Sequence, residues 1–99
     1  MKISIIIPTL NESANIGRLL TRLLTADNDN IEIIVVDGGS EDNTIQLAEK
    51  HGVRVLHCDC SRAKQMNVGA EAASHDILYF VHADTLPPAS YYADGKAFL

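Results

Sequence analysis

The chain has 99 residues, 46% of them hydrophobic and 21% charged, with a formal net charge of −5. That suffices for one small domain around a single core, and the acidic balance argues against a nucleic-acid binder, which would usually show a basic stripe. No apolar run approaches the roughly 20 residues that span a bilayer, and Met1-Lys2 opens no signal peptide, so the expectation is a cytoplasmic protein without a membrane span.

Ile3 to Ile7 is a continuous β-branched apolar run that stops at Pro8, the pattern of a strand buried on both faces of a parallel sheet. In "NESANIGRLLTRLLTA", Ile16, Leu19, Leu20, Leu23 and Leu24 recur at helical spacing, with Asn11 or Ser13 available as a cap. "DNDN" is a turn, and Ile33 to Val36 forms a second buried strand. "DGGSED" then opens a helix from about Asn43 to Lys50, which Gly52 suits as a stop. Val53 to Leu56 is a third strand. Cys58 and Cys60 follow it as C-x-C, a spacing that suits neither a disulfide nor a zinc set, and they read as free thiols of a reducing compartment. "SRAKQMNVGAEAAS" is a helix rich in small residues, in which Asn67 reads as a packing residue, and Ile77 to Val81 is the fourth strand. The alternation of strand and helix predicts an α/β fold with a Rossmann-like parallel sheet and right-handed crossovers.

In such sheets ligands bind beyond the carboxyl ends of the strands. Pro8-Thr9-Leu10-Asn11-Glu12 follow the first strand, Asp37-Gly38-Gly39-Ser40 the second, Cys58 to Arg62 the third and His82-Ala83-Asp84-Thr85 the fourth. Neither G-x-G-x-x-G nor a P-loop is present. Asp37 is placed to hydrogen-bond a ribose or base. Asp84 offers a hard carboxylate for Mn²⁺ or Mg²⁺ on a diphosphate, and Arg62 can stack on a base or bind phosphate. A nucleoside diphosphate with a divalent ion satisfies all three. Glu12 equally suits the positive end of its helix, and Arg62 a solvated helix start.

Together "ISIIIPTLNE", "IIVVDGGSEDNT", "SRAKQMNVGA" and "ILYFVHADT" resemble the N-terminal nucleotide-binding half of family 2 glycosyltransferases, which have the GT-A fold, in a bacterial subgroup with an H-A-D-T metal motif. The resemblance runs from residue 3 to about 88 and implies strand order 3-2-1-4. It also implies that Pro8, Thr9 and Glu12 shape the pocket around base and ribose, that Asp37 and Arg62 contact the base, usually uracil, and that Asp84 binds the metal. His82 stands where most relatives carry an aspartate that touches the ribose, which lowers the negative charge of the site. Ser61 replaces a glycine common before the arginine.

Relatives of this kind are longer, and their second half supplies the acceptor site and the general base. The resemblance therefore implies a single truncated domain over residues 1–99, with 86–99 a poorly defined tail and no catalytic residue of its own. It makes the chain the donor half of a sugar transferase, inactive alone and membrane-peripheral when full length. A non-catalytic nucleotide-binding or interaction module of the same fold is the alternative. A bare fourth-strand edge, with Tyr91, Tyr92 and Phe98 in the tail, predicts a homo-oligomer.

Overall fold

The structure, a computed structural model, describes residues 2–25 and 29–85. Strands β1 (Ile3–Thr9), β2 (Ile31–Asp37), β3 (Arg54–His57) and β4 (Ile77–Phe80) alternate with helices α1 (Ile16–Leu24), α2 (Thr44–Lys50) and α3 (Arg62–Ala72). All strand pairs are parallel, as the sequence predicts, and the order is β3-β2-β1-β4, as the resemblance implies.

The two inner strands explain the layers. Along β1 and β2 successive side chains alternate between faces, and both faces are apolar. Ile5, Ile7, Ile33 and Val35 pack with Ile16, Leu19, Leu20 and Leu23 of α1 and Ala48 of α2. Ile6, Ile34 and Val36 form a smaller cluster on the other face, beside Val68, Ala70 and Ala72 of α3. Gly69 lets α3 lie that close. A Cβ there would stand 2.4 Å from Ile6 Cγ2, an overlap that overpacked cores accommodate only at about 1–3 kcal/mol.

Several local expectations change. β1 does not stop at Pro8 but pairs through Pro8↔Val36 and Thr9↔Asp37. The Ile6 carbonyl accepts from Val81 N, so Ile6 and, two residues on, Pro8 turn their backbone groups toward β4. Pairing with β4 ends at Ile6↔Phe80, and the missing proline N–H therefore costs no ladder bond. Neither Asn11 nor Ser13 caps α1; Asn15 occupies that position without a side-chain cap bond. Asn11 instead adopts φ 54°, a left-handed conformation that asparagine tolerates. Ser61 caps α3 from an extended backbone (φ −156°), so no glycine is needed there. Asn67 is exposed, and the buried residues of α3 are Gln65 and Gly69. Gly52 does end α2's turn as expected, at φ 78°.

Among the described residues β4 is an edge strand, with Ile77, Leu78 and Phe80 37–40% exposed. The predicted tail with Tyr91, Tyr92 and Phe98 lies outside the described residues. Among those described, no helix is long and apolar enough to cross a membrane.

Candidate nucleotide-sugar site

The carboxyl ends of β1, β2 and β4 and the start of α3 meet at one rim. A polar cavity of about 280 Å³ there is lined by Pro8, Glu12, Arg62, His82, Ala83 and Asp84. A neighbouring cavity of about 180 Å³ shares Pro8, Glu12 and Arg62 and adds Thr9, Leu10, Cys60 and Gln65. Five of the seven predicted site residues thus face the first cavity, and Thr9 lines the second.

Just past β4, Val81 N still donates to the Ile6 carbonyl, and the chain then turns. Val81 and Ala83 are buried at 3% and 4% exposure, while His82 and Asp84 are exposed. A turn closed by Thr85 N donating to the His82 carbonyl at 2.9 Å follows the strand; burying Val81 and Ala83 in it leaves the imidazole and the carboxylate on the cleft side. The Arg62 guanidinium donates to the His82 ring at Nδ1 and lies 3.1 Å from Nε2. Among the described residues, the Arg62 guanidinium has no other side-chain partner.

Asp37 behaves differently from the expectation. It is 0% exposed, and its carboxylate is filled by the chain itself. Oδ1 accepts from Thr9 Oγ1 at 2.8 Å and Ser40 Oγ at 2.6 Å; Oδ2 accepts from the backbone N–H groups of Gly39 at 2.9 Å and Ser40 at 2.7 Å. A carboxylate has about four acceptor sites, so none remains for a base. Burial pushes the Asp37 pKa up, but these hydrogen bonds, led by Ser40, outweigh it and hold the carboxyl below its usual range. Asp37 therefore anchors the loop that follows β2. Thr9, only 2% exposed, gives its hydroxyl to Asp37, and its carbonyl accepts from Gly38 N and Gln65 Nε2.

The two loops beside Asp37 are stitched together. Asn11 N donates to Ser40 Oγ, Asn11 Oδ1 accepts from Glu41 N, and Glu12 N donates to Thr44 Oγ1, each at 2.8 Å. Ser13 N donates to Asp42 at 3.1 Å. The hydrogen bond from Thr44 leads in drawing the Asp42 pKa down to about 2.

Gln65 escaped the sequence reading. It is 4% exposed, and its Nε2 donates to the carbonyls of Thr9 and Val36, both at 2.9 Å, tying the ends of β1 and β2 together. The available signal was its i, i+4 spacing from Gly69, which places a polar residue on the packed face of a helix.

A divalent ion fits this donor set only with a ligand's help. Among the described residues no group of three His, Cys, Asp or Glu side chains could hold a metal. Asp84 supplies one exposed carboxylate, and Mg²⁺-type ions bind through one or two carboxylates completed by phosphate and water.

The family model for glycosyl transferase family 2 matches residues 4–94. The poly(ribitol-phosphate) beta-N-acetylglucosaminyltransferase TarS of Staphylococcus aureus is 31% identical over 108 residues, covering 100% of this chain and 19% of that protein. The crystal structure of S. aureus TarS 1–349 in complex with UDP-GlcNAc superposes with a TM-score of 0.87 at 30% identity, over 98% of this chain and 30% of that one. The Mycobacterium tuberculosis glucosyl-3-phosphoglycerate synthase, in complex with Mn²⁺, UDP and glucosyl-3-phosphoglycerate, gives 0.82 at 26% identity, over 98% and 39%. The chain thus spans between about a fifth and two fifths of these relatives. It belongs to glycosyl transferase family 2.

Proposed function

We propose that this chain binds the nucleoside diphosphate of a sugar donor, a UDP-sugar, as the donor half of a glycosyltransferase. The observation that carries the reading is the gathering of Arg62, His82, Asp84, Glu12 and Pro8 around one polar cavity at the strand ends. The S. aureus and M. tuberculosis structures bound to UDP-GlcNAc and UDP support the choice of nucleotide.

In this reading Asp84 holds Mn²⁺ or Mg²⁺ against the diphosphate, and that ion offsets the phosphate charge. Arg62 donates to the ligand from the wall shared by both cavities. His82 accepts from Arg62 and fixes its orientation, a positioning role in place of a ribose contact. Pro8, Glu12 and the Thr9 backbone shape the base and ribose pocket. Asp37, sealed beneath the loop, keeps that pocket in shape.

The free thiols Cys58 and Cys60 fit a reducing, cytoplasmic setting. The resemblance puts the general base in the second half, so the chain alone binds donor without transferring sugar to an acceptor. Calorimetry with UDP and Mn²⁺ tests the core of the reading: Asp84→Ala should lose the metal-dependent part of the affinity. Equal metal dependence in the variant overturns the metal assignment, and robust transfer to an added acceptor overturns the inactivity.

The exposed apolar edge of β4 further supports a homo-oligomer formed by a second copy at that strand. Light scattering behind a sizing column reads it directly. A monomer at high micromolar concentration overturns the assembly.

A further inference from the structure

We infer that Gln65 reads the base, accepting on Oε1 the imide N–H of a uracil ring. This rests on the reading that the site holds a uridine diphosphate. With Asp37 filled by four internal donors, a base N–H in the smaller cavity needs another acceptor.

Gln65 lines that cavity together with Pro8 and Leu10, which is 40% exposed. They offer apolar surface for a flat ring. Its two amide N–H groups are both committed, to Thr9 O and Val36 O at 2.9 Å. Those carbonyls accept only, which fixes the amide orientation and makes Oε1 the group left over. Oε1 accepts no hydrogen bond from the described residues.

Gly38 completes the arrangement. A Cβ at position 38 would stand 3.1 Å from both Gln65 Cδ and Oε1 and 3.1 Å from Cys60 Cα. Its absence spares the carbamoyl oxygen a methyl group at contact distance.

Uracil presents N3–H between two carbonyls. Arg62, in the same wall, retains N–H donors for one of those carbonyls. Cytosine presents a lone pair at N3 and would meet Oε1 acceptor to acceptor. Gln65 is thereby the residue that selects uridine over cytidine nucleotides.

The test is calorimetry on the 99-residue chain with Mn²⁺ and UDP, N3-methyl-UDP or CDP, for wild type and Gln65→Met. Wild type should bind UDP about tenfold more tightly than N3-methyl-UDP, one hydrogen bond's worth, and Gln65→Met should bind the two alike. A methyl penalty as large in Gln65→Met as in wild type assigns the N–H to another group and overturns the proposal. So does wild type that binds UDP without discriminating against N3-methyl-UDP, a result that leaves the donor-site reading standing. No UDP binding at all overturns that reading and the proposal with it. Where Gln65→Met fails to fold, the ¹³C shift of the Gln65 side-chain carbonyl in wild type decides. It should move with UDP and stay with N3-methyl-UDP; equal movement overturns the assignment.

Discussion

On the β1–β2 side of the cleft, polar groups are answered by other parts of the chain. Asp37 takes four hydrogen bonds, Asn11 and Ser40 cross between loops, and Gln65 ties two strand ends. On the α3–β4 side, Arg62, His82 and Asp84 are exposed, and the recorded side-chain bonding among them is Arg62 to His82. The contrast separates scaffold from ligand-facing surface within one rim. A polar network stiffens as its members are satisfied, so the first side is shaped before any ligand arrives, with Gln65 Oε1 the acceptor left open on it. The second side retains unsatisfied capacity in water, where leaving it unpaired costs little.

The hardest blow to this contrast comes from Asp37→Ala. Four donors, from buried Thr9, half-buried Ser40 and exposed Gly39, lose their acceptor, a loss of about 3 kcal/mol. In a domain this small that lowers Tm by about 10 °C or more in a calorimetric melt. A shift below about 3 °C would show that water replaces the carboxylate freely and that the scaffold side is no scaffold.

Arg62→Ala probes the other side. Melting should be unchanged, since an exposed side chain away from the core is worth within about 0.5 kcal/mol. UDP affinity should fall about tenfold, the scale of a charge-assisted hydrogen bond. A large drop in Tm with intact affinity would exchange the roles of the two sides.

Acid separates them again. Burial raises the Asp37 carboxyl pKa, but hydrogen bonds from Ser40, Thr9 and Gly39 bring it below its ordinary value. At the opposite end of the sheet burial likewise opposes, and Ser74 and Ser4 overcome it, at Glu32. A folded pKa below the unfolded one stabilises the fold fully above the unfolded value, near pH 4, and that gain is lost as pH falls through the folded value. Tm should therefore decline below about pH 4, with Asp42, drawn down to about 2, titrating through the end of that range. Asp37→Asn should have a shallower acid limb than wild type; an identical slope would remove Asp37 from the account.

The smallest expected effect is His82→Ala. Because His82 acts through Arg62, UDP affinity should weaken by about threefold, less than one full hydrogen bond. The loss should vanish in the Arg62→Ala background, as a double-mutant cycle would show. Additive losses would mean that His82 touches the ligand itself.

How far the sequence reached depends on the kind of signal. The runs at Ile3–Ile7 and Ile33–Val36 and the Leu19-Leu20-Leu23 stripe carry their own periodicity, so elements and layers follow from local pattern. His82 and Asp84 were legible because they interrupt an apolar run at a strand end. Gln65 and Asn67 were not, because in a helix of small residues the packed face is set by what it meets. Ile6 and Val36 meet Gly69, and only then does position 65 turn inward and position 67 outward.

The sequence by itself determined the α/β alternation and the set of polar residues at the strand ends, since each is written in local pattern, and its four motifs carried the family resemblance. Tertiary structure alone decided what each polar group is for. Asp37 and Asp84 look equivalent as acids after a strand. One is closed over by Thr9, Gly39 and Ser40, while the other stands in the open. Whether a carboxylate meets a ligand depends on how many of its lone pairs the rest of the chain has already filled. That count is settled by residues up to 28 positions away, beyond the reach of any local pattern.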